Sequence, residues 1–165
     1  MPRIDVPADK DPLLHLWTTK APTLTPTAGA FSDAVYRKST LPVRELEAAR
    51  ITIARINDCQ LCLGWRTPRD VPDRADNEPI EEAFYDAVVE RRFDALNERE
   101  ALAAEFAERF ALDHRNMDDE LWKRLHRSFT DDELVELGLC VGAWIAFGRL
   151  NQVFDVDGGC RVPLA

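Results

Sequence analysis

The sequence predicts an all-α protein of about six or seven helices, and three observations carry this prediction. Apolar residues recur three and four positions apart along several segments, which is the signature of amphipathic helices. No segment shows the alternation of apolar and polar residues that is typical of strands. A capping box, in which Thr130 is followed three residues later by Glu133, marks the start of a long helix. The 165 residues suffice for one domain with its own core.

The first thirty residues hold five of the ten prolines, so we expect an extended, irregular N-terminal arm over residues 1–30. Apolar residues of this arm are expected to dock on the body of the protein or on a neighbouring subunit; they are Leu13, Leu14, Leu16 and Trp17. The first amphipathic helix is predicted over residues 44–57, where one face carries Leu46, Ala49, Ile53 and Ile56. A second helix is predicted to begin at Leu61 and to stop at Pro68, and residues 68–79 indicate a loop.

Four further helices are predicted in the second half of the chain. They are expected over residues 81–92, 97–112, 118–125 and 131–153. Asn116 is expected to cap the third of them and Thr130 the fourth. The helical domain is therefore predicted to cover residues 31–155, and residues 156–165 are expected to form an irregular tail.

Composition excludes several classes of function. The net charge is −9, and no cluster of Lys and Arg offers a surface for phosphates, so we expect no binding to nucleic acid. The most apolar stretch, residues 134–147, is interrupted by Glu136 and is too short to span a bilayer, and the N-terminus lacks the apolar segment of a signal peptide. These observations predict a cytoplasmic protein that does not bind membranes. Thiols are kept reduced in that compartment, so a CxxC pair there indicates redox or metal chemistry.

Cys59 and Cys62 form such a pair, at the predicted start of a helix. Two cysteines at this spacing can bring their sulfurs within reach of a disulfide. The free N–H groups at a helix N-terminus favour a thiolate over a thiol, which lowers the thiol pKa. One thiolate can then attack an oxidant, and the second thiol can resolve the product into an intramolecular disulfide. This cycle needs no cofactor.

The cysteine pair has three other interpretations. A zinc site needs four ligands, but Cys140 and Cys160 are isolated and the three histidines lack ligand spacing, so we expect no metal. A thioredoxin fold would place the motif after a strand, whereas the run before Cys59 is helical in pattern. Two buried and inert structural cysteines remain an open alternative. Cys140 itself lies in an apolar helix and is expected to be a buried, inert thiol, and no role is assigned to Cys160.

The segment from Arg44 to Cys62 resembles the carboxymuconolactone decarboxylase family, in its alkylhydroperoxidase D-like branch. The most specific part of the resemblance is the run ARINDCQLC at residues 54–62. Residues 96–112 and 129–151 are similar to that branch too, so that the resemblance covers roughly residues 30–155. It implies an all-helical bundle that assembles into homo-oligomers, in which the helices of neighbouring protomers bury the active-site region.

The resemblance also implies roles for individual residues. Peroxidatic members of the family carry a glutamate twelve residues before the first cysteine and a histidine four residues after the second, which together relay protons. Glu47 stands at the glutamate position, and by position Cys62 is the attacking thiolate and Cys59 the resolving thiol. The histidine position holds Arg66, which can stabilise a thiolate or bind an anionic substrate but cannot relay a proton. The proton relay is therefore incomplete. Trp65, next to the pair, is expected to wall a substrate pocket.

The leading hypothesis is a peroxidase-like thiol oxidoreductase with antioxidant, peroxiredoxin-type activity. Its redox-active disulfide would reduce hydroperoxides or disulfides, with electrons from a thiol donor that the sequence does not identify. One alternative is a carboxymuconolactone decarboxylase-like lyase, in which Arg66 holds a carboxylate. Another is a non-catalytic, redox-sensing oligomer. Aromatic residues elsewhere fall at helix-packing positions and are expected in the core; they are Trp122, Trp144 and Phe147.

Overall fold

The computed structural model describes residues 1–157, and this part of the chain is all-helical, as predicted, with no strand. The described residues form nine α-helices: α1 (Pro12–Thr19), α2 (Thr25–Arg37), α3 (Val43–Ile56), α4 (Gln60–Gly64), α5 (Thr67–Asp70), α6 (Glu82–Val89), α7 (Glu98–Asp113), α8 (Asp119–Ser128) and α9 (Asp131–Val153). Short 3₁₀ turns precede α7 and α8. The number exceeds the predicted six or seven because α1, α2 and α5 form where an arm and a loop were expected.

α3 lies at the centre of the bundle. Its residues from Val43 to Ala54 are all buried except Arg44. The helix packs most extensively against α7 and also against α9 and α6. Because α3 is covered on every face, its polar side chains can find partners only inside the protein.

The apolar core surrounds α3 and is built from regularly spaced positions of its neighbours. Fully or almost fully buried members include Leu46, Ala49, Ile53, Val88, Leu102, Ala103, Ala107, Leu121, Leu125, Leu137 and Val141. The buried residues of α3 and α7 include several alanines, Ala48, Ala49, Ala54, Ala103, Ala104 and Ala107, and such small side chains let two helices pack closely. The predicted core face of the first amphipathic helix is confirmed, although Ile56 is only partly buried.

The prediction of an extended arm over residues 1–30 is wrong, because α1 and the first part of α2 form there. Pro12 and Pro26 both lie in the first turn of their helices, where the missing N–H would have no intrahelical partner in any case. Asp11 caps α1, since its carboxylate accepts a hydrogen bond from the backbone N–H of Leu14 at 2.8 Å. The prolines therefore start helices here.

The predicted docking of this segment on the body is confirmed for two of its apolar residues. Leu16 is buried, and the indole N–H of Trp17 donates to Oδ1 of Asn151 on α9 at 2.9 Å. The ring of Trp17 also packs edge-on against Phe147. Leu14, by contrast, is exposed. α1 is thus held against α9 by both apolar and polar contacts.

The predicted capping box at the start of α9 is confirmed. The backbone N–H of Glu133 donates to the Thr130 hydroxyl at 3.2 Å, and the Glu133 carboxylate accepts the Thr130 N–H at 2.7 Å. The expected cap of α8 is wrong by two residues: Asp118, whose carboxylate accepts from the N–H of Leu121, takes that place. Asn116 lies in the preceding 3₁₀ turn, where its side chain donates to Asp113.

Across residues 1–157, no helix combines the length and the apolar character that crossing a membrane requires. Val156 and Asp157 follow α9, while the rest of the predicted tail, Cys160 included, lies outside the described residues.

Candidate functional site at the cysteine pair

The chain turn before the cysteines is a Schellman motif that ends α3. The N–H of Cys59 donates to the carbonyl of Ala54 at 3.0 Å, and the N–H of Asp58 donates to that of Arg55 at 3.1 Å. Asp58 has a φ of 49°, in the left-handed region that Asp tolerates better than most residues. The sequence Asn57-Asp58 therefore stops the helix and delivers Cys59 to the next one.

Cys59 is the N-cap of α4, where its sulfur accepts a hydrogen bond from the backbone N–H of Cys62 at 3.2 Å. Because a cap bonds to the third residue of its helix, the spacing of the two cysteines is also the spacing of a cap. The Cα atoms of Cys59 and Cys62 lie 5.2 Å apart, and the two sulfurs form a disulfide. The structure thus brings together the two residues that the motif predicted.

The two sulfurs differ in their surroundings. Cys59 is 2% exposed, whereas Cys62 is partly buried and borders a cavity of about 260 Å³. We call this cavity the Cys62 pocket. Its aromatic walls come from α1, α2, α9 and the end of α4, and they are Trp17, Tyr36, Trp65, Trp144 and Phe147. An oxidant that enters the pocket therefore meets Cys62 before Cys59.

Trp144 and Phe147 pack against the core, as expected, but they also line the Cys62 pocket. Trp65 also lines the pocket, as its position next to the cysteines in the sequence predicted. The indole Nε1 of Trp65 is buried and has no hydrogen-bond partner among residues 1–157. This N–H group is an unused donor in an otherwise apolar environment.

Glu47, the predicted catalytic carboxylate, is fully buried on α3 and forms an ion pair with Arg50. The two groups meet in a fork, with Nε–Oε1 at 2.5 Å and Nη2–Oε2 at 2.9 Å. The Thr67 hydroxyl also donates to Glu47, at 2.7 Å. Burial acts to raise the pKa of Glu47, but the Arg50 charge and these hydrogen bonds outweigh it and hold the pKa below its ordinary value.

Arg50 connects this ion pair to the cysteine segment. Its Nη1 donates to the carbonyl of Cys62 at 2.6 Å, and its Nη2 donates to the carbonyl of Trp65 at 2.7 Å. No hydrogen bond in the described chain joins Glu47 directly to either cysteine. The hydrogen-bonded connection from Glu47 to the Cys62 carbonyl therefore runs through Arg50.

Sequence reasoning missed Arg50, although the sequence contains a signal for it. Leu46, Ala49 and Ile53 define the apolar stripe of α3, and Arg50 occupies the position between them on the same face. A charge in an apolar stripe needs a buried partner, and Glu47 is one helical turn away.

Arg66, the predicted substrate-binding cation, is engaged away from the Cys62 pocket. Its guanidinium donates to the Glu82 carboxylate at 2.7 and 3.1 Å and lies 3.8 Å above the ring of Tyr85. It is not among the residues that border the pocket. This geometry offers no support for a substrate role of Arg66.

The remaining predicted groups lie apart from the site. None of the three histidines borders the pocket, and His126 stacks on Trp122 at the surface of α8. Cys140 is buried on α9, as expected, and burial together with the Glu136 charge raises its pKa to about 12. Within residues 1–157, no three His, Cys, Asp or Glu side chains are arranged to hold a metal ion.

Comparisons with protein-family models, with curated proteins and with solved structures return no match for this chain. The resemblance to the carboxymuconolactone decarboxylase family therefore remains a prediction from the residue pattern.

Proposed function

We propose that this protein is a dithiol oxidoreductase that reduces organic hydroperoxides, with Cys62 as the nucleophile and Cys59 as the resolving thiol. The observation that carries the proposal is the asymmetry of the pair. Cys62 borders an apolar pocket, whereas Cys59 is buried behind it and within bonding distance. A nucleophile needs access to substrate, and a resolving thiol needs access only to the nucleophile.

The proposed reaction has three steps. The Cys62 thiolate attacks the terminal peroxide oxygen, the O–O bond breaks, and Cys62 becomes a sulfenic acid. The alkoxide that leaves takes up from solvent the proton that the Cys62 thiol released when it ionised, and departs as the alcohol. The Cys59 thiol then attacks the Cys62 sulfur, the disulfide forms and water leaves. Finally an external thiol donor supplies two electrons and two protons and restores the dithiol.

The pocket supports an organic hydroperoxide over hydrogen peroxide as the oxidant. Its walls are aromatic, and the side chains of Trp17, Trp144 and Phe147 can cover an apolar substituent. Hydrogen peroxide has no such substituent and would gain nothing from these walls. The unpartnered indole N–H of Trp65 can donate to a peroxide or alkoxide oxygen.

No observation favours the lyase alternative. A carboxylate substrate needs a free cation, but Arg66 is bound to Glu82, and Arg50 is bound to Glu47. The relationship to the carboxymuconolactone decarboxylase family, and in particular to its peroxidatic branch, is part of the proposal and rests on residues 44–62.

We also propose that the protein is a cytoplasmic homo-oligomer. Support comes from α9, where Val135, Leu139 and Val153 leave more than half of their surface exposed. Apolar side chains along one helix are a common feature of subunit contacts.

The proposal is tested by counting thiols in the reduced protein before and after one equivalent of cumene hydroperoxide. We expect the wild type to lose two thiols per chain and Cys62→Ser to lose almost none over the same time. Cys140→Ser is the matched control, because its thiol is buried away from the pocket, and it should behave like the wild type. Loss of two thiols from Cys62→Ser at the wild-type rate would refute the assignment.

A further inference from the structure

We infer that Arg50 is the positioning residue of the dithiol: from inside the core it holds the backbone of the cysteine segment and turns the positive end of its ion pair toward Cys62. The inference rests on the proposed function, because it takes Cys62 to be the nucleophile. Arg50 is not placed in contact with substrate. It acts through the sulfur and the backbone that it orients.

Arg50 joins the Glu47 carboxylate to the backbone of the cysteine segment. Its guanidinium is 2% exposed and donates to the Glu47 carboxylate with one edge. With Nη1 and Nη2 it also donates to the carbonyls of Cys62 and Trp65. Glu47 fixes the fork, and the fork fixes both ends of the segment 62–65. A lysine has one ammonium group and cannot reproduce this planar arrangement.

The Cys62 carbonyl lacks a helical donor, whereas the Trp65 carbonyl also accepts a hydrogen bond from Nη1 of Arg66 at 2.9 Å. α4 has only five residues, and the carbonyls at the end of a helix have no intrahelical donor. The N–H of Arg66, which would be the helical donor to the Cys62 carbonyl, instead donates to Asp70 at 2.8 Å. Arg50 therefore replaces a missing turn of helix at the residue that carries the nucleophile.

The ion pair is oriented with Arg50 toward the Cys62 pocket. Arg50 borders the Cys62 pocket together with Cys62, whereas Glu47 does not border it and is held from behind by Thr67. The positive charge is accordingly the nearer one to the pocket. A nearby positive charge favours a thiolate, and a negative charge disfavours it.

Two further cations donate to carbonyls of the cysteine segment: Arg66, which is paired with Glu82, and Arg69, which is paired with Asp70. Neither borders the Cys62 pocket. Tyr36 on α2 is the only other side chain of the pocket lining that titrates, and burial raises the pKa of its hydroxyl, so it is neutral near pH 7. The side chains that α1 and α9 contribute to the lining are neutral: Leu13, Trp17, Trp144, Phe147 and Asn151. Behind Glu47, burial and the Glu47 charge raise the pKa of Tyr85 on α6. Asp58 precedes the pair and is exposed, where solvent screens its charge.

The inference is tested by the pH dependence of iodoacetamide alkylation of Cys62, in a Cys59→Ser background that cannot form the disulfide. Arg50→Gln removes the nearer, positive charge and should raise the pKa of Cys62. Glu47→Gln removes the farther, negative charge and should lower it. A shift of one unit corresponds to about a tenfold change in the thiolate fraction at pH 7, so alkylation there should slow by about tenfold in Arg50→Gln. Opposite shifts are the outcome that a purely structural role does not produce.

Three further variants serve as controls. Thr67→Val removes one hydrogen bond to Glu47 but none of Arg50's bonds, so the pKa of Cys62 should stay near the wild-type value. Arg50→Lys keeps the charge without the fork, so the pKa of Cys62 in this variant should lie closer to the wild-type value than to that of Arg50→Gln. If a single charge removal prevents folding, the double change Glu47→Leu with Arg50→Met replaces the pair by apolar groups of similar size. That variant should fold, and its Cys62 should still have a higher pKa than in the protein that keeps both charges.

The outcomes separate the inference from the proposed function. Shifts of the same sign in Arg50→Gln and Glu47→Gln, or an unchanged pKa of Cys62 in Arg50→Gln, would overturn the role of Arg50. Opposite shifts in the pKa of Cys62, together with a wild-type protein that does not react with cumene hydroperoxide, would support the role of Arg50 and refute the peroxidase proposal. The alkylation assay uses no peroxide, so one result does not determine the other.

Discussion

Asp58 links the end of α3 to the cysteine pair through one unusual backbone angle. Its φ of 49° lets the Cys59 N–H reach back to the carbonyl of Ala54. We expect Asp58→Ala to lower the free energy of unfolding by about 1 kcal/mol, because Ala has no compensation for the left-handed conformation. Asp58→Gly should be close to neutral, since Gly adopts this conformation freely.

Urea denaturation of the reduced proteins measures both effects without a contribution from the disulfide. An Asp58→Gly variant that loses as much stability as Asp58→Ala would show that the carboxylate, and not the backbone angle, is what the position requires. The two substitutions therefore separate the side chain from the conformation.

At the same scale, some site residues could be predicted from the sequence and others could not. Cys59 and Cys62 follow from their spacing, and Trp65 from its distance along the chain. Arg66 is one residue farther, but Trp65 is extended (φ −74°, ψ 143°), and this break in the helix sends the next side chain toward Glu82 on α6. Local spacing predicts contacts only while the backbone stays regular.

Arg50 is a case in which local spacing alone is not sufficient to predict the role of a residue. Recognising its role requires knowing that α3 is covered on all faces, and this depends on how α6, α7 and α9 pack. A single amphipathic stripe predicts one buried face. Arg50 lies on that face, but the burial of Glu47 beside it and the approach of the Arg50 guanidinium to the Cys62 carbonyl are properties of the assembled bundle.

Among the helices, α9 secures the cysteine segment by holding the end of α3. The side-chain amide of Asn57 donates to the carbonyl of Trp144 at 3.1 Å, and its Oδ1 accepts from Nε of Arg149 at 3.2 Å. Gln152 donates to the Asn57 carbonyl. A Cβ atom on Gly148 would lie 2.6 Å from Nδ2 of Asn57. The absence of a side chain at position 148 is thus what lets Asn57 lie against α9.

We expect Gly148→Ala to destabilise the protein by about 1–3 kcal/mol, the usual cost of inserting a methyl group into a packed contact. Asn57 can avoid the new methyl group only by giving up bonds to α9. Gly142→Ala is the matched control on the same helix, because no atom lies within 4 Å of its added Cβ. That substitution should stabilise the protein by up to about 1 kcal/mol through helix propensity. Equal effects of the two changes in thermal denaturation would contradict the account of Gly148.

The helices themselves were predictable where periodicity and capping chemistry agree. α9 begins after Thr130 and ends at Val153, as predicted, because both signals are strong there. The prediction failed at α1 and α2, where the proline content suggested an irregular chain. Proline breaks a helix in its interior but is tolerated in the first turn, and Pro12 and Pro26 occupy that turn.

On the scale of the whole molecule, the bundle separates the two sides of the cysteine pair. On one side the core of α3 supplies a buried ion pair that anchors the backbone of the segment. On the other side α1, α2 and α9 enclose an apolar pocket over Cys62. The helical N-terminal segment is part of this arrangement, since Leu13 and Trp17 belong to the pocket lining. The fold thus anchors the backbone of Cys62, the proposed nucleophile, and leaves it an apolar approach.

The most direct test of this account is mass spectrometry of reduced Cys59→Ser protein treated with one equivalent of cumene hydroperoxide in the presence of dimedone. Without the resolving thiol, the cycle should stop at the sulfenic acid, which dimedone traps. We predict one adduct per chain, located on Cys62, and release of one equivalent of the alcohol. An adduct on Cys140 or Cys160 in place of Cys62, or peroxide left unconsumed, would contradict the assignment of Cys62 as the nucleophile.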